Sequence, residues 1–172
     1  MGSLNIKRDD GTIILPNGYS VSPLLSQEAF RKSETFGRVE SQRAGVVPWT
    51  RYSFSGGNVS DKNFVVTLCF HDQELFSVTM CVDFYSPGQK DWSYYSLDIE
   101  SSAKQCHDAM LEEMLGTPDE SERLAGIHLE NTHEVLSLPL KWFFSWGSVM
   151  SAHDFNGGGT YIIINYDNEE KA

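Results

Sequence analysis

The chain has 172 residues, of which 40% are hydrophobic and 22% charged, a composition typical of a folded globular protein rather than a disordered one. Its 24 acidic residues against 13 basic ones give a net charge of −11, which disfavours nucleic-acid binding because phosphate groups would be repelled. We find no signal peptide and no apolar run of about 20 residues, so we expect no membrane association and a cytoplasmic protein in which residues 1–172 form a single domain.

The first predicted elements are a small hairpin and a short helix. The β-branched run 12–15 and the run 19–21 flank Pro16-Asn17-Gly18, a strong turn signal. Ser22-Pro23 then resembles an N-cap followed by proline at the first helical position. The weak polar pattern of 36–47 predicts a loop.

A longer hairpin is predicted near the middle of the chain. Residues 49–54 indicate a strand that ends at the turn-forming segment 55–58. In 64–70 and again in 76–84, apolar and polar residues alternate with period two, and the polar link 71–74 between them is short. This pattern predicts two antiparallel strands with one apolar face.

The best helical pattern is "SLDIESSAKQCHDAMLEEMLG", which ends at Gly116. Glu100 and Lys104 are spaced to form an ion pair on it. Its apolar stripe consists of Ile99, Ala103, Cys106, Met110 and Met114, widened by Leu111 and Leu115.

The acidic segment 119–134 lacks apolar periodicity and predicts a surface loop. Strand-like runs follow at 135–144, interrupted by Pro139, and across 145–166. The expected fold class is therefore α+β, a mainly antiparallel sheet of about six strands packed on one long helix, plus a short N-terminal helix.

The most enzyme-like feature is the adjacent pair His153 and Asp154. Neighbouring side chains in a strand point to opposite faces, so this pair does not suit a His–carboxylate hydrogen bond. The glycines that follow, within "HDFNGGGTYIII", favour a hairpin loop. The alternative is a small hydrolase that uses His153 and Asp154 with Ser151 or His107 nearby.

We predict no metal site and no cofactor. His128 and His133 are five residues apart, whereas two ligands on one helix face need a spacing of four. The three cysteines, Cys69, Cys81 and Cys106, lack motif spacing and indicate reduced thiols, although Cys69 and Cys81 could face each other across a hairpin.

The layout resembles that of small acidic bacterial α+β proteins encoded beside secreted toxins. The segments "DGTIILPNGYSVSPLL", "HDAMLEEMLGTP" and "WGSVMSAHDFNGGGTYIIINY" carry the resemblance. It implies an immunity protein, which binds and blocks a competitor's toxin, and it transfers no functional residues.

Together these observations predict a non-enzymatic protein-binding module, an immunity or inhibitor protein with a protein partner, such as a basic toxin domain. An acidic contact surface is predicted at Asp119, Glu120, Glu122 and Glu130. The sequence also contains a set of clustered aromatic residues, whose exposed members would serve as anchors beside this surface: Trp49, Trp92, Tyr94, Tyr95, Trp142, Phe143, Phe144 and Trp146. A structural subunit of a phage or secretion assembly is a further alternative.

Overall fold

The computed structural model describes residues 3–44, 48–59, 61–85, 95–121, 136 and 138–166. Within them, ten strands form two antiparallel sheets, and the named α-helices have 5 and 19 residues. The expected α+β class is therefore wrong, because the described chain is mostly β and has one long helix.

The elements follow a simple order along the chain. They are β1 (Asn5–Ile6), β2 (Ile13–Ile14), β3 (Ser20–Val21), α1 (Gln27–Arg31), a 3-10 helix (Glu34–Arg38), β4 (Val39–Ala44), β5 (Trp49–Val59), β6 (Lys62–His71), β7 (Glu74–Val82), α2 (Leu97–Leu115), β8 (Leu140–Phe144), β9 (Gly147–Asp154) and β10 (Gly159–Tyr166).

The small sheet has the order β1-β2-β3. The predicted hairpin is confirmed, since β2 pairs with β3 through the register Ile13↔Val21. The side chain of Asn17 accepts a hydrogen bond from the backbone N–H of Tyr19 (2.9 Å) and so closes the turn. The added strand β1 was not predicted, because two extended residues carry no periodic signal.

The large sheet has the order β4-β5-β6-β7-β10-β9-β8. The predicted hairpin β6–β7 is confirmed and ends in a two-residue turn, Asp72-Gln73, with φ of 47° and 74°. Both residues adopt the left-handed conformation that suits a two-residue hairpin turn. The β9–β10 hairpin is confirmed as well.

Two local predictions near the first helices are wrong. The N-cap of α1 is Ser26, not Ser22, and its hydroxyl accepts a hydrogen bond from Ala29 N–H (3.1 Å). Residues 36–47 do not form only a loop, because the 3-10 helix and β4 occupy most of them. Likewise, β5 does not end at the glycines but continues through a bulge between Ser55 and Asn58.

One face of the large sheet forms the core. Phe30 of α1 packs on β5 and β6, with ring centroids 5.3 to 6.0 Å from those of Tyr52, Phe54 and Phe70. The helix α2 lies on the same side and contacts β7, β9 and β10. The sheet therefore has a covered face, and no described helix packs on the opposite one.

The long helix has the predicted extent but a different buried face. Ile99, Cys106, Met110 and Met114 of the predicted stripe are only half-buried. Buried polar residues accompany Ala103, Leu111 and Leu115 instead, and they are Glu100, Ser101, Lys104, His107 and Asp108. The helix therefore places polar groups between itself and the sheet, where each one needs a partner.

Candidate functional site

The pair singled out by the sequence lies at the end of the β9–β10 hairpin. His153 is opposite Thr160, and Asp154 is opposite Gly159. Asp154 is the last residue of β9 and stabilises the turn that follows, because its Oδ1 accepts a hydrogen bond from Asn156 N–H (2.9 Å) and its carbonyl accepts one from Gly158 N–H (2.7 Å). The predicted hairpin is confirmed, but His153 lies within β9 and not in the loop, and Asp154 is not the carboxylate partner of His153.

His153 itself is buried, with only 8% of its surface exposed. Its Nδ1 lies 3.0 Å from Thr160 Oγ1, and its Nε2 lies 3.3 Å from the Tyr95 hydroxyl. Thr160 donates its own hydroxyl hydrogen to the carbonyl of Glu100 (3.3 Å), so it accepts from His153 Nδ1–H. The neutral ring with hydrogen on Nδ1 satisfies every member of this chain.

The side chain of Glu100 completes the group. Its Oε1 accepts a hydrogen bond from the Tyr85 hydroxyl (2.8 Å), and its Oε2 lies 3.7 Å from His153 Nδ1, which is beyond hydrogen-bond distance. We call Tyr85, Tyr95, Glu100, His153 and Thr160 the polar cluster.

Burial is the largest cause of the pKa shifts of His153 and Tyr85 in the polar cluster. Burial lowers the pKa of His153, and the negative charges of Glu100 and Asp154 oppose that effect. Burial and the hydrogen bond to Glu100 raise the pKa of Tyr85 to about 12. Burial therefore favours the neutral imidazole of His153 and the neutral phenol of Tyr85.

Ser151 and His107, proposed as helpers of His153 in the hydrolase alternative, do not join it. His107 Nε2 accepts a hydrogen bond from Val82 N–H (3.0 Å). The buried hydroxyl of Ser151 has no hydrogen-bond partner among the described residues. Neither side chain bonds to His153 in the described part of the molecule.

A second buried polar group lies further along α2. Lys104 Nζ contacts both carboxylate oxygens of Asp108 at 2.6 and 2.8 Å, and both side chains are buried. The expected pair of Glu100 with Lys104 is therefore wrong. Asp108 holds the lysine, while Glu100 turns towards Tyr85 and His153.

The described half of the predicted acidic surface lies against the edge strand β8. Asp119 and Glu120 are exposed, but Asp119 Oδ2 accepts a hydrogen bond from Phe143 N–H (2.8 Å), and Glu120 forms an ion pair with Lys141 (3.1 Å). A backbone bridge joins Glu120 and Lys141. These two acids thus protect a sheet edge. Glu122 and Glu130 lie outside the described residues.

Among the described residues, the cysteines and histidines form neither a disulfide nor a metal site. The three cysteines are free, and Cys69 and Cys81 face Ser77 and Val65 across the hairpin instead of each other. His128 and His133 lie outside the described residues, and the described ones contain no cluster of three or more metal-ligating side chains. No described helix has the length and apolar character needed to cross a membrane.

A shallow cavity of about 430 Å³ lies away from the polar cluster. It is bounded by the N-terminal residues of β1, the end of β5 and the last turns of α2. Its lining residues are Ser3, Leu4, Asn5, Val59, Met110, Glu113 and Met114. It therefore gives no access to His153.

The residues that surround His153 were missed in the sequence. Tyr85, Tyr95 and Glu100 are separated from it by more than 50 positions, so only the tertiary fold brings them together. One available signal was the row Glu100, Lys104 and Asp108, which repeats every four residues on a single helix face.

Comparison with known proteins gives one similar fold. No family model matches the sequence, and no curated protein matches it. Among solved structures, a chain of "Rhs1-CT in complex with cognate immunity protein RhsI1" aligns over 99% of this chain and 91% of its own length. The sequence identity is 15% and the TM-score 0.49. The similarity transfers no residue role to this chain.

Proposed function

We propose that the chain is a non-enzymatic protein-binding module, a cytoplasmic immunity protein that neutralises a toxin by binding it. This is the role implied by the sequence resemblance, and the similar solved complex also contains an immunity protein. The proposal is supported by the contacts of the described residues and not by that similarity.

The supporting observation is that the most enzyme-like side chains are already used inside the fold. Both ring nitrogens of His153 have partners in the polar cluster, and Asp154 is held by the hairpin turn. A general base needs a ring nitrogen within reach of a substrate proton. His153 instead fastens the β9–β10 hairpin to the start of α2.

The exterior then becomes the working part of the molecule. A net charge of −11 favours a basic partner and speeds its encounter with this chain. Asp119 and Glu120 remain exposed while they hold β8, so both can face a partner. Glu122 and Glu130, from the same acidic segment of the sequence, complete the contact surface that we propose. The partner we propose is a basic toxin domain.

The first experiment is co-purification of this chain with the protein encoded by the neighbouring gene, followed by calorimetric titration. We expect a stoichiometric complex. Reversing the charges of Glu122 and Glu130 to lysine should weaken it by at least about tenfold, since a charge that faces a like charge in an interface costs several kcal/mol.

A matched control is the double variant Glu34→Lys/Glu113→Lys, which changes the net charge equally at exposed positions elsewhere. It should bind within about threefold of the wild type. Asp119 and Glu120 are tested separately, with circular dichroism, because they also contact β8. If no complex forms, the proposed function is refuted. If both double variants weaken the complex equally, the proposed acidic surface is refuted.

A further inference from the structure

An aromatic group occupies one corner of the large sheet, beside the β6–β7 turn. The ring centroid of Trp49 lies 4.4 Å from that of His71 and 5.0 Å from that of Phe76, the latter in an edge-to-face arrangement. Phe76 nevertheless keeps 44% of its surface exposed. Phe76 differs from a singly exposed apolar residue because it packs against Trp49, so the two rings form a joint apolar surface.

The position of Phe76 results from a bulge. Cys69 pairs with Ser77 and Phe70 pairs with Leu75, so Phe76 is the extra residue between them. Such a bulge redirects a side chain out of the regular alternation. Leu75 remains in the core, whereas Phe76 is available beside Trp49.

Two arginines lie next to this aromatic group. Arg51 is two residues from Trp49 and therefore on the same face of β5. Arg43 is directly opposite Arg51 in the register of β4 and β5, and both are exposed. Like charges directly opposite in a sheet are unfavourable. Neither guanidinium forms an ion pair with any described residue.

The charged residues of this corner differ in sign from most of those in the chain. The chain has 24 acids and 13 bases, yet these two arginines lie directly opposite each other, and neither forms an ion pair within the described part of the chain. Paired guanidiniums match carboxylates, and Trp with Arg is the composition of energetically dominant interface positions. The missing complement is therefore a carboxylate that is flanked by apolar surface.

We propose that Arg43, Trp49, Arg51, His71 and Phe76, here called the basic-aromatic corner, form a docking surface for a carboxylate-bearing apolar segment of a partner protein. This inference rests on the proposed function, since the partner is the bound toxin. It adds a second contact region, distinct from the acidic one, which would receive acidic side chains of an otherwise basic partner.

A protein fits this corner better than a nucleic acid does. Asp72, exposed and within 3.6 Å of His71, places a negative charge at the rim of the corner. A phosphate backbone would be repelled there, whereas a protein surface can present charges of both signs.

The test measures the dissociation constant of the complex with the neighbouring gene product. Arg43→Gln/Arg51→Gln should weaken binding by about tenfold to a hundredfold, and Phe76→Ala by about tenfold. The matched control Lys7→Gln/Lys32→Gln removes the same charge from exposed positions elsewhere and should stay within about threefold. Equal effects of the two double variants would overturn the proposal.

A second measurement separates this inference from the proposed function. In ¹⁵N-labelled protein, the Nε–H signals of Arg43 and Arg51 and the indole signal of Trp49 are followed during titrations with three probes. The probes are a glutamate-rich peptide containing one phenylalanine, the same peptide with lysine for glutamate, and a short oligodeoxythymidine. We expect shifts with the acidic peptide alone.

If no complex forms with the neighbouring gene product, the proposed function fails, and the peptide titration alone decides the role of the corner. Unmoved signals with the acidic peptide would then overturn the docking surface. Larger shifts with the oligodeoxythymidine would also overturn it, in favour of a nucleic acid.

Discussion

At the scale of single residues, the polar groups beneath α2 make the fold dependent on protonation. His107 is fully buried, and its Nε2 accepts a hydrogen bond from Val82 N–H. The ring hydrogen must then sit on Nδ1, which has no partner among the described residues. Burial, aided by the positive charge of Lys104, lowers the pKa of His107 to about 4. Protonation would remove the acceptor and bury a charge.

The first prediction is a loss of stability in mild acid. The folded-state pKa of His107 lies below the unfolded value of 6.5, so the unfolded chain binds more protons as the pH falls. This contribution is fully present above pH 6.5 and is lost as the pH falls towards 4. The loss of stability at pH 4 amounts to about 3 kcal/mol. Urea unfolding at a series of pH values measures this loss of stability. The lowered pKa of His153 contributes to the loss in the same direction.

The comparison that isolates this effect uses a glutamine variant of His107. His107→Gln keeps an acceptor for Val82 N–H but cannot titrate, so its free energy of unfolding should depend less on pH between 6.5 and 4. Identical pH profiles for His107→Gln and the wild type would contradict the assignment.

At the scale of elements, the bulge in β5 provides one of the attachments between the small sheet and the large one. Asn17 N–H, in the turn between β2 and β3, donates a hydrogen bond to Gly56 O (2.8 Å). Gly57 has φ of +104°, and a Cβ at this position would lie 2.8 Å from Asn17 N. Glycine is therefore required both by the conformation and by the close approach of the two backbones.

The second prediction compares two glycines with positive φ. Gly57→Ala should lower the free energy of unfolding by about 3 kcal/mol, because it adds a backbone clash to the left-handed strain. Gly18 also has positive φ, at +85°, but its Cβ would meet no atom within 4 Å. Gly18→Ala should cost only about 1 kcal/mol. If urea unfolding gives the same loss of free energy of unfolding for both variants, the close contact at Asn17 does not contribute to the effect of Gly57→Ala.

The sequence predicted elements whose signals are local. Alternation specified β6 and β7, and the "FNGGG" segment specified the β9–β10 turn. The end of α2 at Gly116 was likewise set by local conformation, with φ of +82°. The order of strands was out of reach, because the pairing of β7 with β10 joins segments separated by the whole of α2.

The buried side of α2 shows why the candidate site was only partly predictable. An apolar stripe through Cys106 and Met110 was a sound expectation from hydrophobic periodicity. The helix is rotated from it because Glu100 and His107 find hydrogen-bond partners at the ends of distant strands. Such compensation depends on tertiary contacts that periodicity does not encode. His153 was recognised for its neighbour Asp154, whereas its carboxylate is Glu100.

At the scale of the whole molecule, charge is distributed unevenly. The net charge of −11 creates a long-range negative field, while the basic-aromatic corner places two arginines opposite each other within it. The long-range field governs the rate at which a basic partner arrives, and the short-range contacts of the corner govern how long it stays. The two regions should therefore be separable by kinetics.

The third prediction is this kinetic separation, measured by stopped flow with the proposed partner. Raising NaCl from about 20 to 500 mM should lower the association rate constant by at least about tenfold, because the Debye length shortens from about 20 Å to about 4 Å. Arg43→Gln/Arg51→Gln should mainly raise the dissociation rate constant, whereas Glu122→Gln/Glu130→Gln should mainly reduce the association rate constant and its salt dependence. If the association rate constant does not change with NaCl concentration, the acidic exterior does not steer the partner, even if the complex is tight.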